Sequence, residues 1–321
     1  MTESLIEFLN ALNSHFFNAN KRLFWGYLVT TLLFTVWIWR RQGKTTSFFR
    51  FVFPKAVWLH DSAKMDYGVW LLNNLIKLLL ILPLLFSAAP IAIWLSQGLE
   101  WLFGDIPNVT QNKTIVLVCF TVMVFLLDDF SRFLLHWLMH RVPLLWHLHR
   151  VHHSAQVLTP FTVYRLHPLE SALYACRLVF SQGIAIGIGF YLFGHKLALY
   201  DVLGANVFVF LFNLFGSNLR HSHLWLSWGD KVENWLISPA QHQIHHSDAK
   251  EHYDKNLGAA LAIWDRLFGT LLPASCVNKP LTFGVGSQPH GNLWNLYIGP
   301  VRDMAQSLGR FWGKSRRLQR D

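Results

Sequence analysis

Apolar residues run through this chain in long blocks separated by short polar connections. Residues 23–39 form the first block, near the lower end of the ~17–25 residues that cross a bilayer as a helix. A longer run, 69–95, contains Lys77, Pro83 and Pro90 and fits either one tilted helix or a broken helical hairpin. Residues 114–127 open another span that continues into the stretch 128–153, and 171–194 and 198–216 give two more. These last two are joined by a short turn at Gly194, His195 and Lys196, as in a hairpin that leaves and returns on one side. Ahead of them all, Leu5, Phe8, Leu9 and Leu12 recur at helical spacing and predict a short amphipathic helix at the membrane interface. The pattern predicts an all-α integral membrane protein, a multi-pass helical bundle of roughly four to six apolar segments.

Composition agrees with that pattern. Of the 321 residues 52% are hydrophobic and only 14% charged, so much of the surface is expected to face lipid. A formal charge of +10 raises the question of nucleic acid, but the basic residues sit in connections and in the tail. Arg40, Arg41, Lys44, Arg50, Lys55 and Lys64 follow the first block, and Lys314, Arg316, Arg317 and Arg320 end the chain. Positive-inside topology accounts for both groups, makes these segments cytoplasmic, and leaves nucleic acid without support as a partner. The N-terminus and residues 97–113 are then external, and the more polar chain from Ser217 onward forms a cytoplasmic helical cap. The N-terminus shows no basic region or small-residue cleavage site of a signal peptide. Cys119, Cys176 and Cys276 are scattered, which argues against a disulfide framework, a cysteine zinc site or a c-type haem site.

The chemistry concentrates in histidine. His136 and His140 are four residues apart, and His149, His152 and His153 follow within the same stretch. At helical spacing these five imidazoles are expected to converge. His242, His245 and His246 repeat the HxxHH pattern almost a hundred residues later, on the same expected membrane face. Imidazole binds metal as the neutral base, and eight histidines exceed what one ion takes, so two metals are implied. No HExxH is present to mark a zinc hydrolase; oxygen chemistry needs an ion that changes valence, and iron fits better. Asp129, two turns before His136, is expected to accept the second N–H of a ligand imidazole, although Arg132 is placed to pair with Asp128 or Asp129 instead. His147 is expected to face away, and His167 either orients a ligand or caps a turn with Pro168.

These residues resemble the fatty acid hydroxylase and sterol desaturase superfamily of membrane di-iron oxygenases. HxxxH is matched by His136 and His140, the first HxxHH by His149, His152 and His153, and the second by His242, His245 and His246. Arg165, His167, Pro168 and Glu170 are similar to the RxHPxE segment. Asp254, Lys255 and Asn256, with Trp264, Asp265, Arg266, Leu267, Phe268, Gly269 and Thr270, are similar to the DKNxG and WDRxFGT close, particularly that of the alkylglycerol monooxygenase branch and its bacterial relatives. The resemblance implies a further ligand ahead of the last cluster, for which His221 is preferred to His223. It covers residues 114–271 as the catalytic region, leaving 1–113 as the interfacial helix and first spans and 272–321 as a basic cytoplasmic tail.

What the resemblance implies is a di-iron centre of two iron ions held by His136, His140, His149, His152, His153, His221, His242, His245 and His246 at the cytoplasmic side of a bacterial inner membrane. There it would use O2 to hydroxylate a lipid C–H bond. The chain carries no GxGxxG, CxxCH or iron–sulfur pattern, so electrons are expected from a separate donor of ferredoxin or cytochrome type. Desaturation on the same site is the enzymatic alternative. A non-catalytic membrane metal transporter or sensor is the alternative of another class.

Overall fold

The computed structural model describes residues 2–318 apart from 44, 82–86, 106–108, 195, 196, 200, 203, 204 and 286–291. Lys44, Pro83, Arg320 and the expected turn at His195 and Lys196 lie outside the described residues. The helices are α1 (Thr2–Phe17), α2 (Trp25–Arg41), the short α3 (Phe48–Val52) and α4 (Lys55–Trp58), α5 (Asp61–Ile76), α6 (Ala89–Phe103) and α7 (Lys113–Arg141). They continue as α8 (Pro143–His153), α9 (Pro168–Phe193), α10 (Val207–Leu214), α11 (Asp230–Glu233), α12 (Pro239–His245), α13 (Ile263–Phe268) and α14 (Leu293–Leu318). Among the described residues, extended pairing is confined to Asp201 with Asn206, Val202 with Ala205, and isolated bridges at Leu236–Leu261 and Ser247–Phe283.

Two of these helices, α7 and α9, are long and apolar enough to cross a membrane. At 1.5 Å per residue the 29 residues of α7 rise about 44 Å. Its start is fixed by Asn112, whose side chain accepts the N–H groups of Thr114 and Ile115. It stops where Val142 precedes Pro143, because a residue before proline is driven out of the helical region. Pro143 then opens α8, which folds back along α7 and carries the second histidine group. On the far side, α9 meets α6 through small residues: a Cβ at Gly183 would lie 2.7 Å from Ile91 Cβ, and one at Gly187 2.9 Å from the Ala92 carbonyl oxygen.

The run 69–95 is broken into two elements: α5 continues as a π-helical turn over Lys77–Ile81, and α6 starts at Ala89. The run 198–216 differs from expectation. Its helix α10 has only 8 residues, a rise of about 12 Å, too short to span a bilayer. Asn206 caps its start, and Gly216 at φ 84° turns the chain into a 3-10 turn, Ser217–His221. Leu296 of α14 packs with Val69 of α5 and Val151 of α8. The helix bearing the second histidine group is thus covered on its outer side.

Candidate metal centre

Nine imidazoles gather where α7, α8, the 217–221 turn and α12 meet. They form two sets, and within each set the candidate ligand atoms lie within 4.8 Å of one another. His136, His140, His149, His153 and His245 make the first, and His152, His221, His242 and His246 the second. The expected grouping is corrected here: His152 does not join the other four of its stretch, and His245 takes its place. Helical geometry gives the reason. His149 and His153 are four residues apart and share a direction, whereas adjacent residues diverge by about 100°, so His152 and His153 serve different sites. His245 and His246 part in the same way, and the two adjacent pairs interlock the sites, with the rings of His153 and His246 stacked at 4.7 Å.

The facing atoms are Nε2. His136 Nε2 lies 3.0 Å from His149 Nε2. In the second set His221 Nε2 is 3.3 Å from His152 Nε2 and 3.1 Å from the Nε2 atoms of both His242 and His246. Nε2 of His140, His153 and His245 is buried with no hydrogen-bond partner among the described residues. Burial holds the imidazoles of His149, His153, His221, His242, His245 and His246 well below the ordinary value, and His152 down to about 4, so they are neutral bases. Lone pairs converging in a buried space repel one another unless a cation sits between them. Two nitrogens each about 2.1 Å from one ion lie roughly 3.0–3.4 Å apart for right-angled to tetrahedral geometry, so both sets fit a metal ion.

In the first set four of the five histidines turn Nδ1 to a fixed acceptor. His149 Nδ1 is 2.7 Å from Oε1 of Glu170, a fully buried carboxylate at the start of α9. His140 Nδ1 is 3.3 Å from Oδ1 of Asp254, whose other oxygen lies 3.6 Å from Arg141. His136 Nδ1 faces the Leu257 carbonyl oxygen at 2.7 Å, and His245 Nδ1 that of Lys255 at 2.9 Å. One loop, 254–257, therefore addresses three imidazoles. Asp254 and Asn256 hold left-handed backbone at φ 58° and 56°, an uncommon conformation for non-glycine residues. It is fixed by Asn256, whose side chain donates to the Gln241 and Leu272 carbonyls and accepts from Leu272 N–H. Asp265 accepts the N–H groups of Leu257 and Gly258 and the hydroxyl of Thr270.

Asp129 does not perform its expected task. Its carboxylate accepts the N–H groups of Ala260 (2.8 Å) and Leu261 (3.1 Å) and the indole N–H of Trp264 (2.9 Å), and no imidazole. Asp128 is the partner of Arg132 and, across to α9, of Arg177. His167 stays outside both sets: its Nδ1 accepts from Leu169 N–H at the start of α9 and its Nε2 faces the Tyr297 carbonyl. His147 meets Ser307 of α14, and His223 faces the Phe51 carbonyl, which leaves His221 in the second set. Arg165 is buried among Asp66, Ser154 and the Val151 carbonyl, tying the end of α8 to α5. The orienting parts played by Glu170, Asp254, Lys255 and Leu257 were not read from sequence. Glu170 and Asp254 stand in recognisable motifs, but the other two act through backbone carbonyls, which no side-chain pattern reveals.

Residues 121–270 match the family described as fatty acid hydroxylase. The chain is 30% identical over 155 residues to alkylglycerol monooxygenase of Danio rerio, a match covering 48% of this chain and 30% of that protein. It is 28% identical over 151 residues to an ornithine lipid hydroxylase of Rhizobium tropici, covering 46% and 40% respectively. It is 22% identical over 212 residues to lathosterol oxidase of Rattus norvegicus, covering 66% of this chain and 62% of that protein. The match thus spans about a third of the length of the alkylglycerol monooxygenase. No solved structure matches the chain.

Proposed function

On the premise that the chain belongs, through residues 121–270, to the fatty acid hydroxylase family, we propose that it is a membrane-bound non-haem di-iron oxygenase. It hydroxylates a lipid C–H bond, taking O2 as oxidant and electrons from a separate ferredoxin or cytochrome-type donor. The observation that carries this reading is the division of nine imidazoles into two interlocked sets whose Nε2 atoms face one another at 3.0–3.3 Å. His136, His140, His149, His153 and His245 would hold one iron, and His152, His221, His242 and His246 the other. Bound iron supplies the change of valence that O2 chemistry requires and that zinc lacks.

The protein's own residues do the rest. Buried, neutral imidazoles present ligand lone pairs at working pH, so no proton has to leave before metal binds. Glu170, Asp254 and the carbonyls of Lys255 and Leu257 hold four rings in one orientation. The site sits at the end of α7 and the start of α9, the two helices that are long and apolar enough for a bilayer, so a lipid tail lying among the helices would bring its C–H bond alongside the metals. We place the clusters on the cytoplasmic face of a multi-pass fold, capped by the chain from Ser217 onward, in a bacterial inner membrane. Residues 114–271 are the catalytic region, flanked by 1–113 and the basic tail 272–321.

The test is lipid mass spectrometry on cells carrying the intact chain or His152→Ala. The reading expects one lipid class to gain a single oxygen atom only with the intact chain. Loss of two hydrogens instead would assign desaturation. Metal binding with no lipid change and no oxygen consumption would sink the enzyme in favour of a transporter or sensor.

A further inference from the structure

We propose that the two sites are unequal: the His136, His140, His149, His153 and His245 site takes its metal first and holds it more tightly, and the His152, His221, His242 and His246 site is the exchangeable one. The inference rests on the two-metal reading above and adds an order to it.

The first observation is how the imidazoles are backed. An Nδ1–H held by a carboxylate or carbonyl fixes the ring and makes Nε2 a stronger base toward metal. In the five-histidine site four of the rings are held in this way, two by the carboxylates of Glu170 and Asp254 and two by carbonyls of the 254–257 loop. That loop is itself locked by Asp265, and Gly258 follows it where a Cβ would lie 2.6 Å from the Leu261 carbonyl oxygen. In the four-histidine site Nδ1 of His242 and of His246 is buried and meets no partner among the described residues. Nδ1 of His152 is near the Thr162–Arg165 backbone without a hydrogen bond of normal geometry.

The second observation is charge. Behind the first site stand two acidic side chains, Glu170 and Asp254, each against a ligand imidazole. Beside the second site lies the guanidinium of Arg220, 5% exposed, adjacent in sequence to His221. Its contacts are the Ile237 carbonyl and the face of Phe212, and no carboxylate pairs with it among the described residues. A buried cation with no carboxylate in direct contact opposes the entry of a second one. Ligand number, imidazole backing and local charge all rank the sites the same way.

The test uses the full chain in detergent, stripped of metal and titrated with Co(II), followed by visible absorption and by bound-metal analysis after dialysis. Two equivalents are expected in two phases separated by about tenfold or more in affinity. His245→Ala should abolish the tight phase and His242→Ala the weak one, while Glu170→Gln weakens the tight phase about 10–100-fold and leaves the other in place. Arg220→Gln should tighten the weak phase, a gain that misfolding does not produce. Two equivalents in a single phase, or loss of the tight phase in His242→Ala, would overturn the ranking while leaving the two-metal reading intact. Fewer than two equivalents in the unmutated chain would overturn both.

Discussion

The carboxylate of Asp129, just past the middle of α7, accepts the indole N–H of Trp264 at 2.9 Å, 135 residues later in the chain. The same carboxylate holds the backbone N–H groups of Ala260 and Leu261, so α7 anchors the segment that follows the loop addressing its own His136 and His140 and the His245 of α12. Asp129 thus acts on the architecture around the site, one step removed from the imidazoles.

Replacing it separates the two roles. Asp129→Asn keeps the shape but exchanges two acceptor oxygens for one oxygen and an amide that has no acceptor to meet, and it should cost about 2–4 kcal/mol of stability. Thermal unfolding in detergent should show a lowered midpoint, with metal content after purification at low temperature unchanged. Lost metal at an unchanged midpoint would return Asp129 to direct imidazole orientation.

Acid should undo the centre. His152 is held down to about 4 by burial, against an ordinary value near 6.5, and six neighbours are also depressed. The folded chain keeps these rings neutral while the unfolded chain protonates them below about 6.5, so stability is present above that value and is lost as pH falls toward 4. Protons also compete with metal for the same nitrogens. Metal content and unfolding midpoint, measured at steps from pH 7.5 to 5, should fall together, and a flat profile across that window would refute the account.

Arg165 offers a test of the joint behind α8. It binds Asp66 at 2.8 Å, and both groups are buried. Arg165→Ala leaves a buried carboxylate without its cation, an arrangement that costs about 3–5 kcal/mol. The variant should express poorly or unfold early, and adding Asp66→Asn should recover part of the loss. No recovery in the double variant would mean that Arg165 works through Ser154 and the Val151 carbonyl alone.

Helix packing is open to the same kind of test. Gly187→Leu must push α6 away from α9, because its first carbon would already lie 2.9 Å from the Ala92 carbonyl oxygen. A loss of about 2–4 kcal/mol is expected, read as a lower unfolding midpoint. The same substitution at Gly98, where a Cβ meets nothing within 4 Å, should be close to neutral. Equal effects at both positions would remove close packing as the cause.

The amino-acid sequence by itself pointed to the helical class, to the apolar runs that include α7 and α9, and to eight of the nine histidines that gather, His221 being added by the family resemblance. Hydrophobic blocks and i, i+3 and i, i+4 spacings are local properties, carried by residues near one another in the chain. It also placed His147 away from the clusters, whereas the choice of His221 over His223 rested on the family resemblance. Tertiary structure decided how the nine divide. The split between His152 and His153, and the exchange of His152 for His245, depend on which way α8 and α12 are rotated when they dock, and spacing within one helix does not fix that. Only the folded chain, too, reassigned Asp129 from an imidazole to Ala260, Leu261 and Trp264, and shortened the 198–216 span to an eight-residue helix ended by Gly216. The carbonyls of Lys255 and Leu257 were never legible, since every residue carries one and only the left-handed turns at Asp254 and Asn256 aim these two at His245 and His136.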